Sequence, residues 1–139
     1  MAGETNLKTL LGGMKPELAA DIHVFASLPS GSAPPAGLDP VMIFREREGI
    51  TLILRENDAA SAGLAASFRC RMITLTVHSS LEAVGFLAAV TARLARAGMG
   101  VNPVSAFHHD HLFVPADRAD EAMEILRQLA NENAALPSA

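Results

Sequence analysis

Residues 73–107 read ITLTVHSSLEAVGFLAAVTARLARAGMGVNPVSAF, and the succession of patterns in them decides the fold. Ile73, Leu75 and Val77 alternate with Thr74 and Thr76, the period-two pattern of a half-buried strand. From Ser79 the period becomes helical. Ser79 and Glu82 have the spacing of a capping box, in which each side chain would satisfy the other's orphan backbone N–H. Leu81, Val84, Ala88, Thr91 and Ala95 then make one stripe, widened by Leu87 and Leu94. Gly98 stands where a left-handed residue closes a helix. A helix over 79–98 is therefore expected. Strands follow at 101–107 and 111–114. A last helix opens at Pro115-Ala116-Asp117, with Ala119, Ala122, Met123, Leu126 and Leu129 on its core face and a frayed tail from Asn131.

Upstream, Leu7, Leu10, Leu11 and Met14 share one helical face within residues 5–14, and Pro16 stops that helix. Ile22–Leu28 predicts a strand. Residues 29–40, PSGSAPPAGLDP, read as a long surface loop, since too little chain precedes them for an independent core. Met42–Arg47 and Ile50–Glu56 predict two strands turning at Gly49, and Asn57-Asp58 caps a short helix to about Leu64. Phe68–His78 is the next strand. The order is α-β-β-β-α and then β-α-β-β-α, the rhythm of the split βαβ, ferredoxin-like pattern. The first half lacks an opening strand on this reading and the second a closing one. Two pseudo-symmetric halves, 1–66 and 67–139, are thus expected to complete each other's sheets, which would also cover exposed strand edges.

The totals narrow the function. The chain has 139 residues, half of them hydrophobic, a net charge of -4 and no Trp or Tyr. A globular α+β protein fits that composition. No basic run and no stacking aromatics favour nucleic acid, and no apolar stretch approaches the roughly 18 residues of a membrane span. Cys70 is the single cysteine. On an alternating strand it reads as a structural thiol, with Arg69 and Arg71 on the opposite face. A polar N-terminus and a lone cysteine point to the cytoplasm.

Residues 73–107 resemble an ACT domain: a strand, then Gly85-Phe-Leu-Ala-Ala-Val-Thr91 opening a helix, then Leu94-Ala-Arg-Ala-Gly-Met-Gly-Val-Asn102 leading to the second strand. Gly85 falls where that family has its glycine at the strand-to-helix passage. Three motifs, Phe44-Arg-Glu-Arg-Glu-Gly49, Val77-His-Ser-Ser-Leu-Glu-Ala-Val-Gly85 and His108-His-Asp-His-Leu-Phe-Val-Pro115, resemble a family of short bacterial proteins with tandem ACT-like halves. The resemblance spans nearly the whole chain and is strongest from 73 to 118. It implies two ferredoxin-like, ACT-type βαββαβ halves with antiparallel sheets and helices on one face. It also implies side-by-side pairing and a small metabolite bound near the first strand-to-helix loop. Carried onto this chain, the loop is His78, Ser79, Ser80, Leu81, Glu82, Ala83, Val84 and Gly85. It departs from the shorter Asp-x-x-Gly-type loop of many amino-acid-binding members.

The residues support that loop on their own terms, because a helix N-terminus favours an anionic group and free N–H groups from Ser80 to Ala83 would bond a ligand carboxylate. Asn102, where the second strand begins, joins the candidates. His109, Asp110 and His111 are candidates at a hairpin turn. On a strand His109 and His111 point one way and His108 and Asp110 the other, so too few ligands converge for a structural zinc. Arg45, Glu46 and Glu48 alternate charge on a short hairpin, a solvated arrangement that would also suit a zwitterion. No catalytic residue is expected: His78 with Ser79 or Ser80 lacks the geometry of a nucleophile and base. The expectation is a small-ligand-binding regulatory module, not an enzyme. It would sense an amino acid or related metabolite between two ACT-like halves as a homodimer, with no metal or cofactor. The alternatives are a ligand-free dimerisation scaffold, and an enzyme or metal protein built on His108–His111.

Overall fold

The computed structural model describes residues 3–134. The elements run α1 (Leu7–Gly13), β1 (Lys15–Pro29), β2 (Met42–Arg45), β3 (Gly49–Arg55), α2 (Glu56–Ser61), β4 (Ala66–Thr76), α3 (Phe86–Arg96), β5 (Asn102–Ser105), β6 (Asp110–Pro115), a 3-10 turn (Ala116–Arg118) and α4 (Ala119–Asn133). The chain forms two compact units, one of residues 1–19 with 72–139 and the other of residues 20–71.

In the larger unit the strand order is β1-β4-β6-β5. That is the arrangement a βαββαβ chain makes when its closing strand lies beside its opening one. β4 opens, α3 crosses over, β5 and β6 form the hairpin, and α4 follows. The closing strand is supplied by Lys15–Ala19 at the start of β1. The expected gap after the last helix is therefore filled from the N-terminal part of the chain. In the smaller unit the order β2-β3-β1-β4 repeats the scheme. Here the expectation of a missing opening strand is corrected: β1 is that strand, and what is missing is the crossover helix, replaced by the loop of residues 30–41. β1 extends seven residues earlier than Ile22, because Pro16 ends the helix yet sits readily near the start of a strand, where its missing N–H costs no central ladder bond.

The core of the larger unit joins α1, α3 and α4 to β4 and β6 through Leu10, Leu11, Ile73, Leu75, Leu94, Leu112, Val114 and Leu126. Each fully buried Leu of this kind stabilises by roughly 1.5–3 kcal/mol relative to exposure. All five residues expected on the core face of the last helix are buried. That helix continues to Asn133, and the tail beyond Ala134 lies outside the described residues. In the smaller unit Val24, Ala26 and Leu28 of β1 pack with Ile50, Leu52 and Leu54 of β3. The antiparallel register pairs Ala26 with Leu52 and Phe25 with Ile53. Cys70 is fully buried there, its thiol donating to the His23 carbonyl at 3.3 Å.

α3 differs most from expectation. It begins at Phe86, not near Ser79, and its buried face is Phe86, Val90 and Leu94. Leu81 and Val84, assigned to the core stripe, are exposed. The cause is Gly85, which holds φ at 90° as the N-cap. A left-handed residue there ends the extended chain and resets the helical phase. Gly98 does close the helix region in the left-handed conformation, at φ 71°. Among the described residues no helix is long and apolar enough to cross a membrane.

Candidate functional site

Between the end of β4 at Thr76 and the start of α3 at Phe86, residues 77–85 form an ordered loop. No capping box forms, because Ser79 and Glu82 precede the helix by several residues. The Ser80 hydroxyl instead accepts from the Glu82 N–H at 3.0 Å, and the Ala83 N–H donates to the Ser80 carbonyl at 3.0 Å. The Ser80 N–H donates to the Glu4 carbonyl at 3.0 Å. The N–H groups of Ser80, Glu82 and Ala83, expected to be free for an anion, are thus already engaged. The free first-turn donors of a helix are those of its own N1–N3 positions, here Phe86, Leu87 and Ala88, and no side chain among the described residues caps them.

These three residues line a cavity of about 130 Å³. Its other walls are Ser79, Ser80, Leu81, Ala83 and Gly85 from the loop and Ser105, Ala106 and Asp110 from the β5–β6 hairpin. Ser105 and Asp110 face each other as register partners in that hairpin. The carboxylate residue Asp110 is only 9% exposed. The partial positive charge of the α3 N-terminus and a buried carboxylate therefore border one small polar space.

The alternation expected here holds for Asp110, Leu112 and Val114 but not for Phe113, which is buried although it shares a side with His111. Asp110, Leu112 and Val114 are buried, with Leu112 and Val114 in the core beneath the helices, while His109 and His111 belong to the other side of the strand. Their rings lie 6.5 Å apart, centroid to centroid. The Thr74 hydroxyl is 3.0 Å from His111 Nδ1. Burial, and secondarily the charge of His109, hold the His111 imidazole below its ordinary pKa, with Asp110 opposing. Among the described residues no group of three or more His, Cys, Asp or Glu is placed to hold a metal ion.

The remaining candidates fall elsewhere. His78, Glu82 and Val84 are exposed, Val84 at 85%. Asn102 is exposed at the start of β5, opposite Phe113. Arg45, Glu46 and Glu48 belong to the smaller unit, where the Glu46 carboxylate accepts from the Thr51 hydroxyl and its N–H donates to the Gly49 carbonyl at 2.8 Å. Phe86, Leu87, Ala88, Ser105 and Ala106 are not among the site residues expected from the sequence, where Leu87 and Ala88 stand only in the helical stripe. A positive-φ reading of Gly85 would have brought in the first three, and the register partner of Asp110 would have brought in Ser105.

Comparison with known proteins agrees with this geometry. A sequence model of the ACT domain matches residues 2–71, and a second ACT domain model matches residues 67–128. No curated protein matches the chain. A Vibrio cholerae protein of unknown function is 41% identical over 89% of this chain and 95% of its own, with a TM-score of 0.81. An Agrobacterium tumefaciens protein superposes at TM-score 0.73, with 20% identity over 84% of this chain and 89% of that one. At the level of fold alone, the regulatory subunit of aspartate kinase from Thermus thermophilus in its ligand-free form superposes at TM-score 0.64, with 14% identity over 82% of this chain and 95% of that one. The chain belongs to the ACT domain family and carries two such ferredoxin-like domains in tandem.

Proposed function

We propose that the protein is a regulatory module whose ligand, an amino acid or related small zwitterion, seats in the cavity at the 78–85 loop. The supporting observation is the pairing of opposite electrostatics on one space of about 130 Å³: the uncapped first turn of α3 and the buried Asp110. A ligand carboxylate would accept from the N–H groups of Phe86 to Ala88. An ammonium would pair with Asp110, and the hydroxyls of Ser79, Ser80 and Ser105 would complete its hydrogen bonds. Binding would act by differential affinity for two states of the module or of its partner. This is a binding role and not a catalytic one, exercised by a cytoplasmic homodimer without metal or cofactor, with halves 1–66 and 67–139. A dimerisation scaffold is the second reading, favoured by the exposed Val41, Ile43 and Phe44 in and beside β2.

Thermal denaturation in the presence of each L-amino acid in turn tests the proposal. A ligand that binds only the native state raises stability by about 2.7 kcal/mol at a hundred times its Kd. At least one amino acid is expected to raise Tm by several degrees, and Asp110→Asn is expected to abolish that rise while leaving the unliganded protein folded. A flat response to every amino acid, or an undiminished rise in the Asp110→Asn protein, sinks the site.

A further inference from the structure

Beyond its own internal hydrogen bonds, the 77–85 loop is held near both ends by the N-terminal segment. Glu4 inserts as a parallel bridge opposite Ser79. Its N–H donates to the His78 carbonyl at 2.8 Å, and its carbonyl accepts from the Ser80 N–H at 3.0 Å. Gly3 lies so close that a Cβ there would fall 2.6 Å from the Ser79 carbonyl carbon and 2.7 Å from the Ser80 nitrogen. Those are backbone atoms with no rotamer to yield. At the other end, Leu7 Cδ2 would stand 3.7 Å from a Cβ on Gly85. Between these points Asn6 caps α1 by accepting from the Thr9 N–H at 2.9 Å. Leu10 and Leu11 then anchor the helix in the core. The segment is thus tied to buried structure at one end and to Ser79 and Ser80, two walls of the cavity, at the other.

We infer that Gly3 and Glu4 are positioning residues of the ligand site: the N-terminal strap fixes Ser79 and Ser80 and so sets ligand affinity without touching ligand. This rests on the reading of the cavity as the ligand seat. A loop already ordered by the strap loses little further freedom on binding, so strap release lowers affinity even where the cavity residues are intact. Glycine is required at position 3 because any larger residue must push the loop or be pushed from it. Glu4 acts through its backbone alone, so its side chain is replaceable while its N–H is not.

The experiment compares wild type with Gly3→Val, Glu4→Pro, which removes the donor to His78, and Glu4→Ala, which keeps it. Two readouts are taken on each full chain: calorimetric affinity for the L-amino acids, one at a time, and amide hydrogen exchange at Ser80. Gly3→Val and Glu4→Pro are expected to weaken binding by about 10-fold or more and to speed exchange at Ser80, with amides of α4 still protected. Glu4→Ala is expected to match wild type in both. If wild type binds and the two variants bind equally well, the strap has no such role. If no amino acid binds wild type, the ligand reading fails by itself, and the exchange arm still decides the strap: unchanged exchange at Ser80 in Gly3→Val overturns it.

Discussion

The hydroxyl of Thr74 lies 3.0 Å from Nδ1 of His111, tying adjacent strands β4 and β6 by a side-chain hydrogen bond. Two residues along the same face of β4, the Thr76 hydroxyl is buried and has no hydrogen-bond partner among the described residues. The two threonines therefore make opposite predictions. Thr74→Val should destabilise by about 1 kcal/mol or more, since it deletes a bond and leaves a half-buried imidazole nitrogen unpaired. Thr76→Val should be neutral or stabilising, because it removes a buried polar group that makes no bond. Urea unfolding of the two single variants checks this, and equal losses would contradict it.

His111 also makes stability depend on pH. Its pKa is lowered first by burial and then by His109. A base depressed in the native state binds fewer protons there than in the unfolded chain, so stability rises with pH through that window. His111 therefore contributes stability fully above its ordinary value near 6.5, lost as pH falls through the lower native value. Chemical denaturation at steps from neutral to mildly acidic pH should show a decline that His111→Gln reduces. His111 is followed directly by the disappearance of its own imidazole titration in NMR.

Much of the fold was legible because its signals were local. The alternation of Ile73 and Leu75 and the stripe from Ala119 to Leu129 each report which side faces the core, and these residues are buried as expected, while Val77, just past the end of β4, is only partly buried. The start of α3 was not legible from spacing. Ser79 and Glu82 satisfy the pattern of a capping box, but a single positive-φ glycine at position 85 moves the N-cap six residues on. That displacement carried the anion-binding donors with it, from Ser80–Ala83 to Phe86–Ala88. The strap was invisible for a different reason. Glu4 pairs through backbone groups with residues more than seventy positions away, and such pairing leaves no mark in side-chain periodicity. Asp110 was legible from strand alternation, whereas its companion Ser105 needed the hairpin register.

Gly12 and Gly13 adjoin at the end of α1 and should respond oppositely to alanine. A Cβ on Gly12 would fall 2.4 Å from the Asn133 carbonyl oxygen and 2.9 Å from its carbon, both backbone atoms of α4. A Cβ on Gly13 would make an ordinary 3.8 Å approach to Val77 Cγ2. Gly12→Ala should therefore destabilise by about 1–3 kcal/mol, the usual cost of overpacking. Gly13→Ala should be tolerated or stabilising by several tenths of a kcal/mol, because alanine loses less backbone freedom in a helix. Paired thermal melts settle the contrast, and equal behaviour of the two variants would place the α1–α4 approach elsewhere.

Cys70 should be inert while the protein is folded. Its side chain is fully buried and its thiol donates to the His23 carbonyl. Burial pushes its pKa up to about 11. The reactive species is the thiolate, so both access and ionisation oppose modification. Ellman's reagent at mildly alkaline pH should react with it only in denaturant, and in native buffer the rate should follow global unfolding. The same shift has a stability consequence. A thiol raised in the native state keeps its proton longer than in the unfolded chain, so its contribution is whole below the ordinary value near 9 and is lost as pH rises toward about 11. Cys70→Ala should remove that alkaline decline while lowering stability at neutral pH through the small cavity it leaves. Rapid labelling of the native protein would mean that β4 opens locally at Cys70 without unfolding the rest.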